Sequence, residues 1–201
     1  MELFNANAGN TKRVRVFLAE KGADVPRVEL TLGKDTRTPA FRKLNTLGEL
    51  PVLRLDDGRL LTESLAICRY FEAVFPDPPL MGTDAFEQGH IEMWSQRIHN
   101  QLFMTYGGFV RHSIPFFADV MEQVPAFAEA QRRAIPEKWV WLDGEMADGR
   151  RFIAGERFTM ADIHGMTVLM IADGIDVPIP GDCRRVNRWA DAMRARPSFS
   201  A

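Results

Sequence analysis

Gly48-Glu49-Leu50-Pro51-Val52-Leu53-Arg54-Leu55-Asp56-Asp57-Gly58-Arg59-Leu60-Leu61-Thr62-Glu63-Ser64 is the stretch on which the fold turns. Leu50-Pro51 is an extended turn, because the residue before a proline is driven out of the helical region. Val52 to Leu55 reads as a short strand, Asp57-Gly58 as a two-residue hairpin turn, and Leu60-Leu61 as the returning strand. Glu63-Ser64 then opens a helix carrying Leu65, Ile67, Cys68 and Phe71 at core spacing. A proline-bearing loop therefore stands beside a helix N-terminus that carries its own carboxylate. Such a corner can bind a small zwitterion through both of its charges and its backbone.

Upstream, residues 1–5 read as a strand, and Lys12 to Glu20 as an amphipathic helix closed by Lys21-Gly22. Arg27 to Leu32 alternates as a second strand. Thr38-Pro39 starts a short helix with Phe41 and Leu44 inward. The order β-α-β-α-β-β-α predicts a small α/β domain with helices on a four-stranded mixed sheet. Downstream, Pro76-Asp77-Pro78-Pro79 breaks the pattern, and strand signals then nearly vanish. Helical patterns cover 84–113, 125–148, 160–173 and 182–196. The reading is an α/β domain over 1–77, a linker over 78–83 and an all-α domain over 84–201.

The 201 residues carry a net charge of −2, which offers no footprint for nucleic acid. No apolar run approaches the roughly 20 residues of a membrane span, so no membrane partner is expected. Met1-Glu2-Leu3-Phe4 has no basic region or apolar core of a secretory signal, and a cytoplasmic location is expected. Cys68 and Cys183 lie far apart and read as reduced, buried thiols. The histidines show no ligand spacing, so no metal is expected.

The Leu50-Pro51 turn, the Glu63-Ser64 helix start, the proline linker and the helical second half together resemble the cytosolic glutathione transferases over essentially the whole chain. Phe152-Ile153-Ala154-Gly155-Glu156-Arg157-Phe158-Thr159-Met160-Ala161-Asp162-Ile163 is similar to the family's signature leading into the central helix of its second domain. In its own right, that segment offers Thr159 as N-cap, Asp162 as a short capping-box acceptor, and Phe158 with Ile163 as a hydrophobic staple. Lys12-Arg13-Val14-Arg15, Asp56-Asp57-Gly58 and 192–198 look most like bacterial and fungal members that lack the tyrosine of the mammalian classes. The resemblance implies a thioredoxin-like first domain, glutathione as substrate, and a homodimer with a role in detoxification.

It also implies a division of labour at the corner. Ser64, at a helix start, would hold the glutathione α-carboxylate with its N–H and hydroxyl. Glu63 would pair with the ammonium. Leu50, before a Pro51 that the resemblance implies is cis, would pair its N–H and C=O with the cysteinyl backbone. A simple N-cap and a structural turn are the plainer readings of the same residues. A free thiol, with a pKa of about 8.5, is only slightly ionised at neutral pH, so it needs a donor. The family places Tyr, Ser or Cys at the turn after the first strand. Asn5 to Arg13 contains none of them. Asn10, through its amide N–H and neighbouring backbone N–H groups, is the expected thiolate donor, with Thr11 as the alternative. A third reading makes Asn10 only the helix N-cap.

Tyr106 and His112, on the long helix with Trp94, Phe103 and Phe109, are the expected polar border of a pocket for a small hydrophobic electrophile. His112 can also position a water that takes the thiol proton. Core packing is the plain reading of that aromatic stripe. The expected activity is conjugation of the glutathione thiolate to an electrophile. The alternatives are a glutathione-dependent disulfide reductase or peroxidase, or a non-catalytic glutathione-binding protein.

Overall fold

Four strands, β1 (Glu2–Asn5), β2 (Arg27–Glu29), β3 (Val52–Arg54) and β4 (Leu60–Thr62), form one sheet in the order β2-β1-β3-β4. The computed structural model describes all 201 residues. β1 runs parallel to β2, with Phe4 opposite Val28, because the connection crosses over through helix α1 (Gly9–Glu20). β3 is antiparallel to both β1 and β4, with Leu3 opposite Leu53 and Val52 opposite Thr62. Successive side chains alternate faces, and the pattern of burial follows. Phe4 and Val52 pack on one face with Ala6, Leu50 and Phe41 of α2 (Pro39–Arg42). Leu3 and Leu53, fully buried, take the opposite face, where α3 (Ser64–Val74) packs against α1.

Two local expectations change. The hairpin loop has three residues, not two. Leu55 N–H donates to Arg59 C=O at 2.9 Å, and Gly58 N–H donates to Leu55 C=O at 3.0 Å. Gly58, at φ 84°, takes the left-handed position that such a bulged turn needs. β2 also stops short of Leu32. Its partner β1 ends at Asn5, whose C=O accepts the last rung from Leu30 N–H, and Asp35 then bonds Thr31 N–H to turn the chain.

Lys21-Gly22 closes α1, with Gly22 at φ 61°. The buried Lys21 ammonium meets Glu72 and the carbonyls of Pro76 and Pro78, which ties the proline segment to this unit. The chain divides into a unit of Met1–Met81 with Arg196–Ala201 and a unit of Gly82–Ala195. The last six residues thus join the α/β unit, although the sequence reading ran the helical domain to 201. The reason is local to Glu20, whose carboxylate accepts from Arg196 at 2.6 and 2.8 Å and from the Ser198 hydroxyl.

The second unit is helical. α4 (Ala85–Ile98) continues through a π-turn at His99–Phe103 into α5 (Met104–Ser113), followed by α6 (Pro125–Glu145), α7 (Met160–Gly174) and α8 (Arg184–Arg194). α7 is buried along most of its length and is held by Asp162. That carboxylate accepts from the N–H groups of Thr159 and Ile153 and from the Trp189 indole, each at 2.9 Å. No helix is long and apolar enough to cross a membrane.

Candidate functional site

Within the α/β unit, Asn10, Asn45, Glu49, Leu50, Pro51, Glu63 and Ser64 line one small, shallow cleft. Three segments supply it: the start of α1, the loop into β3 and the start of α3. Leu50 buries its side chain in the cluster with Phe4 and Phe41. The bond to Pro51 is cis. Neither the N–H nor the C=O of Leu50 has a hydrogen-bond partner within the fold. A bare donor and acceptor beside a cleft is an edge on which an extended backbone can pair.

Glu63 sits at φ 64°, ψ 114°, a region that non-glycine residues seldom occupy. Such strain gathers at ligand-binding turns. Here it lets the Glu63 carbonyl accept from Ile67 N–H and start α3 while its carboxylate borders the cleft. No side chain caps α3, so the first N–H groups of an eleven-residue helix remain available to an anion.

At α1, Ala8 occupies the N-cap with no side-chain cap bond, and the first intrahelical bond runs from Lys12 N–H to Ala8 C=O. Asn10 is therefore the second helical residue and not the cap. Its Oδ1 accepts from Arg13 Nη1 at 3.0 Å, and the same nitrogen donates to Ser64 Oγ at 2.6 Å. Arg13 is only 2% exposed, and burial brings its pKa down to about 10, so it stays cationic at neutral pH. Thr11 is fully buried, and its hydroxyl hydrogen goes to the carbonyls of Ala6 and Ala8 at 2.5 and 2.8 Å. Arg15 braces the same turn through Asn5 Oδ1 and Ala6 C=O, at 2.7 and 2.9 Å.

The structure thus brings Asn10, Leu50, Pro51, Glu63 and Ser64 to one cleft, and turns the Thr11 hydroxyl into the α1 turn. Tyr106 and His112 belong to the helical unit. Tyr106 is fully buried. Its hydroxyl donates to Val177 C=O and accepts from the Trp139 indole, both at 2.8 Å, and burial pushes its pKa up to about 12. His112 accepts Val124 N–H at Nδ1 (3.0 Å) and stands edge-on to Phe127.

Sequence reasoning missed Asn45, Glu49 and Arg13. Asn45 shapes the loop by accepting from Leu47 N–H and donating to Glu49 C=O, and its Asn-to-Gly48 spacing carried a turn signal. Arg13 stands four residues before Phe17, on its buried face, a position where an arginine needs a reason. The Cys68 thiol is buried and pushed up to about 12, mainly by desolvation, so it is not the reactive sulfur.

Residues 10–74 match the family model for the glutathione S-transferase N-terminal domain, and residues 103–197 match the model for its C-terminal domain. Glutathione S-transferase 2 of Saccharomyces cerevisiae is 32% identical over 92% of this chain and 82% of its own length. A maleylacetoacetate isomerase of Pseudomonas aeruginosa is 27% identical over 93% of this chain and 87% of its own. Among solved structures, a glutathione S-transferase domain-containing protein of Marinobacter aquaeolei superposes with a TM-score of 0.91 at 32% identity, covering 99% of this chain and 100% of that one.

Proposed function

The chain belongs to the glutathione S-transferase family, and from that premise we propose that it binds glutathione in the cleft of its α/β unit and activates the thiol with Asn10. The reading rests above all on that single cleft. It offers a bare backbone edge at Leu50, a carboxylate at Glu63, an uncapped helix start at Ser64 and an amide at Asn10. The γ-glutamyl carboxylate binds the Ser64 N–H and hydroxyl, its ammonium pairs with Glu63, and the cysteinyl backbone pairs with Leu50. The thiol then falls at the start of α1. There the Asn10 Nδ2–H and the N–H groups of the first helical turn stabilise the thiolate, and the proton leaves to water.

A hydrogen bond to a charged group is worth about 1.5–3 kcal/mol, which is about 1–2 pKa units. One amide donor at a helix N-terminus therefore suffices to make a large fraction of the thiol ionised near pH 7. The thiolate lone pair attacks an electrophilic carbon, a C–S bond forms, and the leaving group departs with its electron pair. We assign the electrophile to the hydrophobic class, with Tyr106 and His112 as its second-substrate residues. His112 keeps Nε2 for a water or substrate, while Tyr106 contributes packing. The same thiolate can attack a disulfide. In that case a second glutathione supplies the second sulfur, since Cys68 is buried. A cytoplasmic homodimer with a detoxifying role completes the proposal, in line with a family that is usually dimeric.

Calorimetric titration with glutathione tests the corner. Glu63→Gln and Ser64→Ala are each expected to weaken binding about tenfold or more, the equivalent of about 1.4 kcal/mol. Unchanged affinity in both variants would reject this placement of the γ-glutamyl end.

A further inference from the structure

We infer that Arg13 is a positioning residue that aims two hydrogen-bond donors, the Asn10 amide and the Ser64 hydroxyl, into the cleft; this deepens the glutathione reading and rests on it. A guanidinium carries only donors. The atom of Asn10 that meets Arg13 Nη1 at 3.0 Å must therefore be the amide oxygen. That orientation follows from the chemistry of the guanidinium. With the oxygen held inward, the Nδ2 hydrogens of a residue that lines the cleft turn away from Arg13 and toward the cleft. An unrestrained asparagine amide rotates, and half of its orientations would present an oxygen lone pair to a sulfur anion.

The same nitrogen sets Ser64. It donates to Oγ at 2.6 Å, which occupies a lone pair and leaves the hydroxyl hydrogen to donate to a ligand carboxylate. One buried cation thus orients the donor for the thiol and the donor for the carboxylate. It does so from a site with almost no solvent exposure, which keeps its field unscreened at the cleft. The fold supplies the means, since α1 carries Arg13 and Asn10 one turn apart and packs against α3, whose first residue is Ser64. Neither contact uses the reacting atoms, so Arg13 acts through its two neighbours.

A purely structural clamp between α1 and α3 would show in stability alone. A positioning role shows in two separable ligand readouts, the pKa of bound glutathione thiol, followed by thiolate absorbance against pH, and the dissociation constant for glutathione. Asn10→Ala is expected to raise the bound thiol pKa by about one unit or more and leave affinity within about threefold. Ser64→Ala is expected to weaken affinity about tenfold and leave the pKa in place. Arg13→Met is expected to do both, and Arg13→Met with Asn10→Ala is expected to raise the pKa no further than Asn10→Ala alone. Asn10→Asp covers the case in which Arg13→Met fails to fold. It keeps an oxygen toward Arg13 and replaces the donor by a second oxygen, so the melting temperature is retained while the pKa depression is lost. A depressed wild-type pKa that survives Arg13→Met, or additive effects in the double variant, would overturn the positioning role alone, and one that survives Asn10→Asp would remove Asn10 as the donor and the positioning role with it. A wild-type bound thiol that titrates at its free value would overturn the glutathione-activating reading itself, and this role with it.

Discussion

Asn10 and Thr11 are neighbours in sequence, and both can donate a hydrogen bond, yet the structure gives them different work. The Thr11 hydroxyl is spent on the carbonyls of Ala6 and Ala8, which also accept from Arg15 Nη1 and from Lys12 N–H. Thr11→Val is therefore expected to destabilise the fold by about 0.5–1.5 kcal/mol, the net worth of a hydrogen bond whose acceptors keep their other donors. The pKa of the bound thiol is expected to stay where the wild type has it. Denaturant unfolding and the thiolate titration check the two halves. A thiol pKa that rises in Thr11→Val without loss of binding would return the donor's role to the hydroxyl. Nothing in the sequence separates these two residues. Their types both suit the chemistry, and which one is consumed internally depends on where two carbonyls of the preceding turn point. Arg13 is hidden for a related reason, since its partner Ser64 lies 51 residues away.

Elements were more legible than their edges. Period-two alternation places Leu3 and Leu53 on one face and Phe4 and Val52 on the other, and the observed pairing follows it. The Asp-Gly pair announces a hairpin but does not set its length. Asp56 joined the loop because Leu55 pairs with Arg59, and that register is decided by the strands. At α7, the Thr159 and Asp162 spacing gave a capping box, while the long-range bonds of Asp162 to Ile153 and Trp189 were invisible locally. Asp162→Ala removes the acceptor of four buried donors and is expected to cost about 3–5 kcal/mol. Burial lifts the Asp162 pKa from its ordinary 3.8 to about 6, against the pull of its hydrogen bonds. Between those two values the folded state holds the proton more tightly than the unfolded one. Stability from this group is therefore full below about pH 4 and falls as pH rises through about 6. Carbon NMR of the Asp162 carboxyl is expected to show a midpoint near 6. A midpoint below 4 would contradict this.

Across the whole molecule, the change from alternating strands and helices to helices alone marks the proline segment as the break, and Lys21 and Glu72 show how that segment is held to the first unit. The return of Arg196–Ala201 to the α/β unit was not legible, because Arg196 meets Glu20 across 176 residues of chain and no local pattern encodes such a pairing. Leu50, Pro51, Glu63 and Ser64 were legible as one corner because they stand close in sequence, on either side of a single hairpin, and they line one cleft. The donor proposed for the thiol was less legible, because it depends on which groups the fold leaves for a ligand. The central claim is that this chain ionises glutathione without a tyrosine, serine or cysteine at the first turn. The pKa of glutathione thiol bound to the wild type and to Asn10→Ala, followed by thiolate absorbance, tests it most directly. The expected result is a wild-type value well below the free value of about 8.5, moved back toward it by Asn10→Ala. A wild-type bound thiol that titrates at the free value would contradict the claim.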